Sequence, residues 1–403
     1  MGGGTMLSLT YTYRIYPDAS QEAKMLAWME ICRKVYNYAL RERKDSIASR
    51  KCAIDACSIH SEYIIPSDAA YPDYYKQQNA LTRAKKVNPE LKEVQSQVLQ
   101  DSLKRLDRAF KFMKERGFGF PRFKKLGSYR SFTFPQFKDY PLIGVQIKLP
   151  KIGSVPINLH RPIPEGLVIK QVRVINKASG WYTQLILQCD VSVPELMPHG
   201  LSIGIDLGLE KFLAVSNGKL LSRPRFFVDL ESKLKWLQRK LRNKTKGSAN
   251  YRKIQHKVRL LHERIHDIRK EFHFKTAHAL CDLGVGMIFT EELNLKMMSR
   301  GMLAKHCLDA SWGGFLDILS WVCWKRGVYF AKVDPNGTSQ TCPQCSTHTG
   351  KKKLSDRIHA CHECGYTTDR DVAAAMVVEQ RGLAAAGLAV KLPVEVSLSG
   401  TSV

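Results

Sequence analysis

The stretch CPQCSTHTGKKKLSDRIHACHECGYTTDRD, residues 342–371, decides how this chain is read. It holds two C-x2-C pairs, Cys342/Cys345 and Cys361/Cys364, with 15 residues between them. Each pair places two thiolates on one tight turn, and two such turns complete a tetrahedron around one Zn²⁺. A four-thiolate site has no open position, so its ion is structural and cannot activate water. His348, His359 and His362 lie close by. With four thiolates at hand they are expected as solvent or nucleic-acid contacts rather than ligands. Chemistry must then lie elsewhere, and an acidic pair, Asp369 and Asp371, begins five residues after Cys364.

The 403 residues are long enough for two to four domains, and the net charge of +26 far exceeds what solubility requires. Such an excess predicts a polyanionic partner, with nucleic acid the first candidate. No apolar run reaches the length of a membrane span, and the start MGGGTM carries neither a secretory leader nor a myristoylation pattern. It leaves two candidate starts, Met1 and Met6. Four of the eleven cysteines form the paired motif, and the other seven are scattered. That usage suits a reducing compartment.

Along the chain, LSLTYTYRIY (7–16) alternates as a strand, and Asp18 or Ser20 can cap the helix that follows. Residues 21–116 read as mostly helical, with breaks at Pro66, Pro72 and Pro89. They end in an amphipathic helix from Ser96 to Gly117. Residues 117–138 interleave aromatic and basic residues without a single acid. Arg122, Lys124, Lys125 and Arg130 there can neutralise phosphates while the rings stack on bases; a loop packing its aromatics on its own domain gives the same pattern. Residues 143–190 read as a small β-barrel with a hairpin turning near Ala178–Gly180. Buried strands follow at 202–218, 285–294 and 328–334, a Trp-rich helix at 309–326, and a final helix from Asp371. The segment from Lys233 to Lys275 carries fifteen Lys or Arg against three acids, or +12. It reads as a helical hairpin broken at Lys246–Gly247. Lys240, Arg242, Lys244, Lys246, Arg252 and Lys253 cluster at its turn, as a nucleic-acid contact or as a solvated charged face.

Asp206 ends one buried strand, Glu291 ends another, and Asp371 opens a helix. Singly, such acids are usually caps or surface residues. As a set, acids at the ends of adjacent strands and at a neighbouring helix start can converge. Converging carboxylates repel and call for divalent cations, and Mg²⁺ takes oxygen ligands. Two such ions can hydrolyse a phosphodiester. Spacing alone leaves Asp369 and Asp371 as alternatives for the third position.

These motifs resemble the TnpB family, the RNA-guided endonucleases of insertion sequences. The resemblance is carried by GIDLG, TEELN, DASWGGFLDILSW, VDPNGTSQTCPQC and CHECGYTTDRD. It is carried also by YRIYPDASQEA, CRKVYNYAL, and GFPRF followed by SFTFPQF. It spans Tyr11 to about Val378. It implies a multidomain α/β chain with an RNase H-like (RuvC) nuclease domain, an inserted zinc ribbon, an N-terminal helical domain and a small β-barrel. In domain terms, 1–20 and 117–198 form the barrel (wedge), and 21–116 a helical recognition domain. Residues 199–335 form the first nuclease part, with the basic hairpin at 229–282. The ribbon spans 336–368, the nuclease ends at 369–382, and 383–403 is a loose tail. The resemblance assigns catalysis and two Mg²⁺ to Asp206, Glu291 and Asp371, by motif register. It implies a guide RNA, a double-stranded DNA target, and a short target-adjacent motif faced by Ser96, Gln97 and Gln100. Gln can read adenine through paired hydrogen bonds. A monomer is expected. Two positions depart from the pattern: Ala373 stands where the family usually has Asn, and Glu292 where Asp is commoner.

Three rivals compete with this reading. A DNA strand transferase could use the same fold and acids, but no helix-turn-helix is evident to read a transposon end. A guided repressor would not need the intact acids. HERIH (262–266) matches the zinc-protease motif, but Arg259, Arg264, Arg269 and Lys270 crowd it and no third ligand is evident.

Overall fold

The computed structural model describes residues 6–50, 69–137, 139–192, 195–226, 228–298, 304–352 and 356–389. The chain divides into two compact units, Met1–Val193 and Pro194–Val403. The expected break at Pro66, and most of the expected tail, lie outside the described residues.

The first unit opens with β1 (Met6–Ile15) and α1 (Ala19–Ser49). Of the two expected caps, Asp18 and Ser20, it is Asp18 that caps α1, in a reciprocal capping box with Gln21. Then come α2 (Tyr74–Val87), α3 (Pro89–Glu93, with its proline in the first turn) and α4 (Ser96–Arg116), which Gly117 ends in the left-handed conformation. Six strands follow: β2 (Ser131–Phe134), β3 (Leu142–Ile143), β4 (Gln146–Leu149), β5 (Gly153–Asn158), β6 (Val168–Lys177) and β7 (Gly180–Ser192). The hairpin turns where predicted, with Lys177 opposite Gly180. The strands form one antiparallel sheet in the order β2-β6-β7-β1-β5-β4-β3. Its edges β2 and β3 do not pair among the described residues, so the expected closed barrel is an open, seven-stranded sheet. Trp28 of α1 packs on Phe132 and Phe134 of β2, and α4 adds Leu99, Leu103 and Leu106 to the same core. Helices cover the sheet at that edge and contribute to the burial that closure would otherwise have to supply.

The second unit holds the candidate site. Its first strands are β8 (Ser202–Asp206), β9 (Lys211–Val215) and β10 (Leu220–Ser222). The helices α5 (Glu231–Arg242) and α6 (Ala249–Cys281) form the basic hairpin, around a small core of Leu234, Leu237, Leu261 and Ile265. Next come β11 (Met287–Glu291), α7 (Leu295–Met298), α8 (Ala304–Ala310), α9 (Trp312–Lys325) and β12 (Tyr329–Val333). The expected single helix over 309–326 is thus broken. Ser311 takes a left-handed φ of 51° between α8 and α9. The ribbon contributes β13 (Ile358–Ala360) and β14 (Thr367–Asp369), and α10 (Arg370–Ala385) closes the unit. This helix runs past the expected boundary at 382.

The five strands order β10-β9-β8-β11-β12, with β8, β11 and β12 parallel. Side chains alternate across them. Ile203, Ile205 and Ile288 face a core built with Phe315 and Leu319 of α9 and Ala277 and Leu280 of α6. Met287 and Phe289 face the other way, onto Val378 and Leu383 of α10. Burial on both faces explains why these strands read as continuous apolar runs.

Candidate active site and zinc clip

Two glycines bring α10 down onto the sheet. A Cβ on Gly204 would lie 2.0 Å from the Ala375 carbonyl oxygen, and one on Gly382 would lie 2.1 Å from the Phe289 ring. Only glycine permits so close an approach. Asp206 lies two residues beyond Gly204, and Glu291 two beyond Phe289, so both acids share the α10 face. Thr290 pairs with Ile205, so the two acids leave adjacent strand ends together. Asp371 lies one helical turn before Ala375, on the side of α10 that meets β8. The three acids named from the sequence therefore gather at one end of the sheet.

The electrostatics of Asp206 report the same convergence. Burial, then the charges of Glu291 and Asp371, push the Asp206 carboxyl up to about 8, against the Leu207 amide and Arg370. Burial raises Glu291, opposed by a hydrogen bond from Thr338 and by Arg381. Burial and then Asp369 raise Asp371, opposed first by Arg357 and Arg370. Burial is the leading cause at all three carboxyls, and it outweighs the arginines nearby. Their oxygens do not all lie within 4.8 Å of one another. Hard oxygen donors with raised proton affinity fit Mg²⁺.

Asp369 has different work. Its Oδ1 accepts from the Asp371 and Val372 amides at 2.9 and 3.2 Å, capping α10. A residue missed from the sequence stands beside Glu291. Thr338 is buried, and its hydroxyl donates to Glu291 Oε1 at 2.5 Å. A threonine in a polar loop carries no periodic or spacing signal that would mark it.

The cysteines form the clip the sequence predicts. The sulfurs of Cys342, Cys345, Cys361 and Cys364 all lie within 4.8 Å of one another, with Cys342–Cys364 at 3.6 Å and Cys345–Cys361 at 3.5 Å. A Zn–S bond of about 2.3 Å sets a tetrahedral edge of about 3.8 Å, and a disulfide would need about 2 Å. The four donors thus fit one Zn²⁺. The two turns are alike. Ser346 and Gly365 follow Cys345 and Cys364 with φ of 62° and 73°, and donate back to Cys342 and Cys361. None of the three nearby histidines joins the cluster. His359 departs from expectation: it is fully buried on β13, against Tyr366 and Lys352, and burial lowers its pKa. A polar residue alternating with Ile358 and Ala360 gave no sign of a packed ribbon interior.

The expected nucleic-acid residues lie on both units. Lys240, Arg242, Lys244, Lys246, Arg252 and Lys253 are all exposed around the α5–α6 turn, with Lys240 3.8 Å above the exposed Trp236 ring. Arg122, Lys124, Lys125 and Arg130 are exposed, as are Phe118, Phe120 and Phe123. That loop is pinned to α1: Lys124 exchanges backbone hydrogen bonds with the Asn37 amide and accepts from Arg33. Gln97 and Gln100 are half-buried on α4, and Ser96 accepts from Lys85 at 2.6 Å. His262 and His266 point to solvent from α6, and no metal-ligand group forms there among the described residues. No described helix is long and apolar enough to cross a membrane.

Three family models match: "Probable transposase" over 186–301, "Cas12f1-like, TNB domain" over 312–378, and "Helix-turn-helix domain" over 6–52. The last was not expected from the sequence, and the described residues there form one strand and one uninterrupted helix. The protein named "Putative RNA-guided DNA endonuclease InsQ" of Escherichia coli (strain K12) is 30% identical, over 97% of this chain and 95% of its own. A "Putative RNA-guided DNA endonuclease" of Streptomyces pristinaespiralis is 28% identical, over 93% and 89%. The chain belongs to the TnpB family. Among solved structures, a Cas12f1–sgRNA–target DNA complex is 17% identical at a TM-score of 0.35, covering 94% of this chain and 100% of its own. The mini-RNA-guided endonuclease CRISPR-Cas_phi3 is 10% identical at 0.39, covering 97% and 94%. At these scores neither defines this chain's fold.

Proposed function

We propose that this protein is an RNA-guided DNA endonuclease whose second unit is a RuvC-type, RNase H-like nuclease. The observation that carries the reading is the gathering of Asp206, Glu291 and Asp371 beneath α10, with the Asp206 carboxyl pushed up to about 8. Those three side chains would hold two Mg²⁺, which when bound supply water activation and stabilise the leaving oxygen of a phosphodiester. The strand ends and the capped start of α10 fix the carboxylates before substrate arrives, which lowers the ordering cost of each turnover. The four cysteines would hold one structural Zn²⁺.

Guide RNA and target DNA would be held by their backbones, on the exposed cations of the α5–α6 turn and of the 117–130 loop. Ser96, Gln97 and Gln100 would face the target-adjacent duplex, and base pairing by the guide would choose the target. The chain would act as a monomer in a prokaryotic cytosol. The test is to express the protein with its flanking element DNA and sequence the RNA that co-purifies. A matching target library with Mg²⁺ is then cut by the parent and not by Asp206→Ala. RNA-dependent binding without cleavage by the parent would replace this reading with a guided repressor. Absence of bound RNA would remove guidance altogether.

A further inference from the structure

We propose that Thr338 is a positioning residue for Glu291, and that through it the zinc clip holds a metal-binding carboxylate in place. The inference rests on the reading of Glu291 given above. Thr338 is 4% exposed, and its hydroxyl proton has two acceptors in reach: Glu291 Oε1 at 2.5 Å and the Pro335 carbonyl at 3.2 Å. The shorter bond, to a carboxylate, is the stronger. Among the described residues it is the one hydrogen bond to that side chain. A glutamate has three rotatable bonds, and a single donor on Oε1 removes most of the freedom that cation binding would otherwise have to freeze.

Thr338 is itself held from the zinc side. It opens a short 3₁₀ turn, Thr338–Gln340, that runs directly into the first cysteine knuckle. The Thr349 amide and hydroxyl both donate to the Gln340 carbonyl, at 2.7 and 3.1 Å, and the Lys352 ammonium donates to Ser339 at 3.2 Å. From the other side α10 ties down the same segment. Arg381 donates to the carbonyls of Asp334 and Asn336 at 2.8 and 2.7 Å, and Gln380 donates to that of Pro343 at 2.6 Å. Cysteine knuckle, turn, threonine and Glu291 are thus one hydrogen-bonded chain. Threonine suits the place: its β-branch limits the hydroxyl to few rotamers, and serine keeps the same donor.

The test titrates Mn²⁺ into the purified protein–RNA complex and follows free Mn²⁺ by electron paramagnetic resonance. It compares the parent with Thr338→Ser, Thr338→Ala, Thr338→Val and Asp206→Ala. Sites present in the parent and absent in Asp206→Ala report the carboxylate cluster rather than the RNA. Zinc content and Tm are measured on each sample. Thr338→Val is expected to weaken those sites by roughly tenfold or more while keeping its zinc, and Thr338→Ser to match the parent. Cleavage by the Val variant should fall at low Mn²⁺ and recover at high Mn²⁺. Parent-like Mn²⁺ affinity in Thr338→Val, or equal losses in Val and Ser, would overturn the proposal. If Val fails to fold, the Ala and Ser pair carries the same contrast, and no difference between them overturns it. A parent without Asp206-dependent sites would remove the active-site reading itself, a failure visible before any Thr338 variant is compared.

Discussion

Asp206 and Glu291 each stand one residue beyond the register pair Ile205–Thr290, so two carboxylates leave neighbouring parallel strands on one face. Asp206 is held up to about 8, first by burial and then by Glu291 and Asp371. A raised carboxyl pKa means that the folded state binds a proton the unfolded chain has released. Asp206's contribution to the stability of the metal-free protein is therefore lost as pH rises from about 4 to about 8. Asp206→Asn removes that loss. At pH 8 without divalent cation it should raise Tm by roughly 2–4 °C while abolishing cleavage. Mg²⁺ must also displace the proton, so half-saturating Mg²⁺ should rise up to about tenfold for each pH unit that the pH drops below 8. Calorimetry and cleavage from pH 6 to 9 check both; a pH-independent Mg²⁺ requirement would contradict the assignment.

Gly204 is where the α10 backbone meets β8. A methyl group there would lie 2.0 Å from Ala375 O and 2.6 Å from Glu379 N, both backbone atoms that cannot swing aside. Gly204→Ala should cost more than about 4 kcal/mol or leave α10 undocked. Chemical denaturation and hydrogen exchange in α10 measure it, and a loss under about 1 kcal/mol would refute the packing described.

The four-cysteine clip leads without a linker into both ends of the site: Thr338 toward Glu291, and β14 toward the Asp369 cap of α10. Cys361→Ser, or strong chelation, should release one Zn²⁺ per chain and open the 342–366 segment to protease. Displacing the acids by even about 1 Å should lower cleavage roughly a hundredfold. Zinc analysis alongside single-turnover kinetics reads the two losses together. Full activity after loss of zinc would separate clip from site.

The basic hairpin is predicted to hold nucleic acid by its backbone. Lys240, Arg242, Lys244, Lys246, Arg252 and Lys253 are exposed, and the core of Leu234, Leu237, Leu261 and Ile265 lies apart from them. Changing all six to Gln should leave Tm nearly unchanged. It should flatten the salt dependence of RNA or target binding, by about 0.7–0.9 in log–log slope for each phosphate no longer neutralised. An unchanged slope would make these cations a solvated face.

Much of the second unit was legible because its physics is local. Apolar runs ending in Asp206 and Glu291 mark strands buried on both faces, and the cysteine spacing marks a clip. The rest depends on pairings distant in sequence. Alternation at 143–190 shows strands but not whether their sheet closes. Ser311 breaks a helix through a left-handed φ that no glycine announces. Thr338 becomes visible only when the chain returns it to Glu291, 47 positions away. Spacing left Asp369 and Asp371 open. The structure gives Asp369 a helix cap to form and places Asp371 within electrostatic reach of Asp206.

That last distinction is also the most direct test. Single-turnover cleavage of a guide-matched DNA should be measured for Asp206→Asn, Glu291→Gln, Asp371→Asn and Asp369→Asn in the RNA complex. The account predicts that the first three bind target normally and lose cleavage by roughly three orders of magnitude or more. Asp369→Asn, still a good cap, should cleave within about threefold of the parent. Loss in Asp369→Asn with Asp371→Asn active, or cleavage surviving without Asp206 or Glu291, would contradict it.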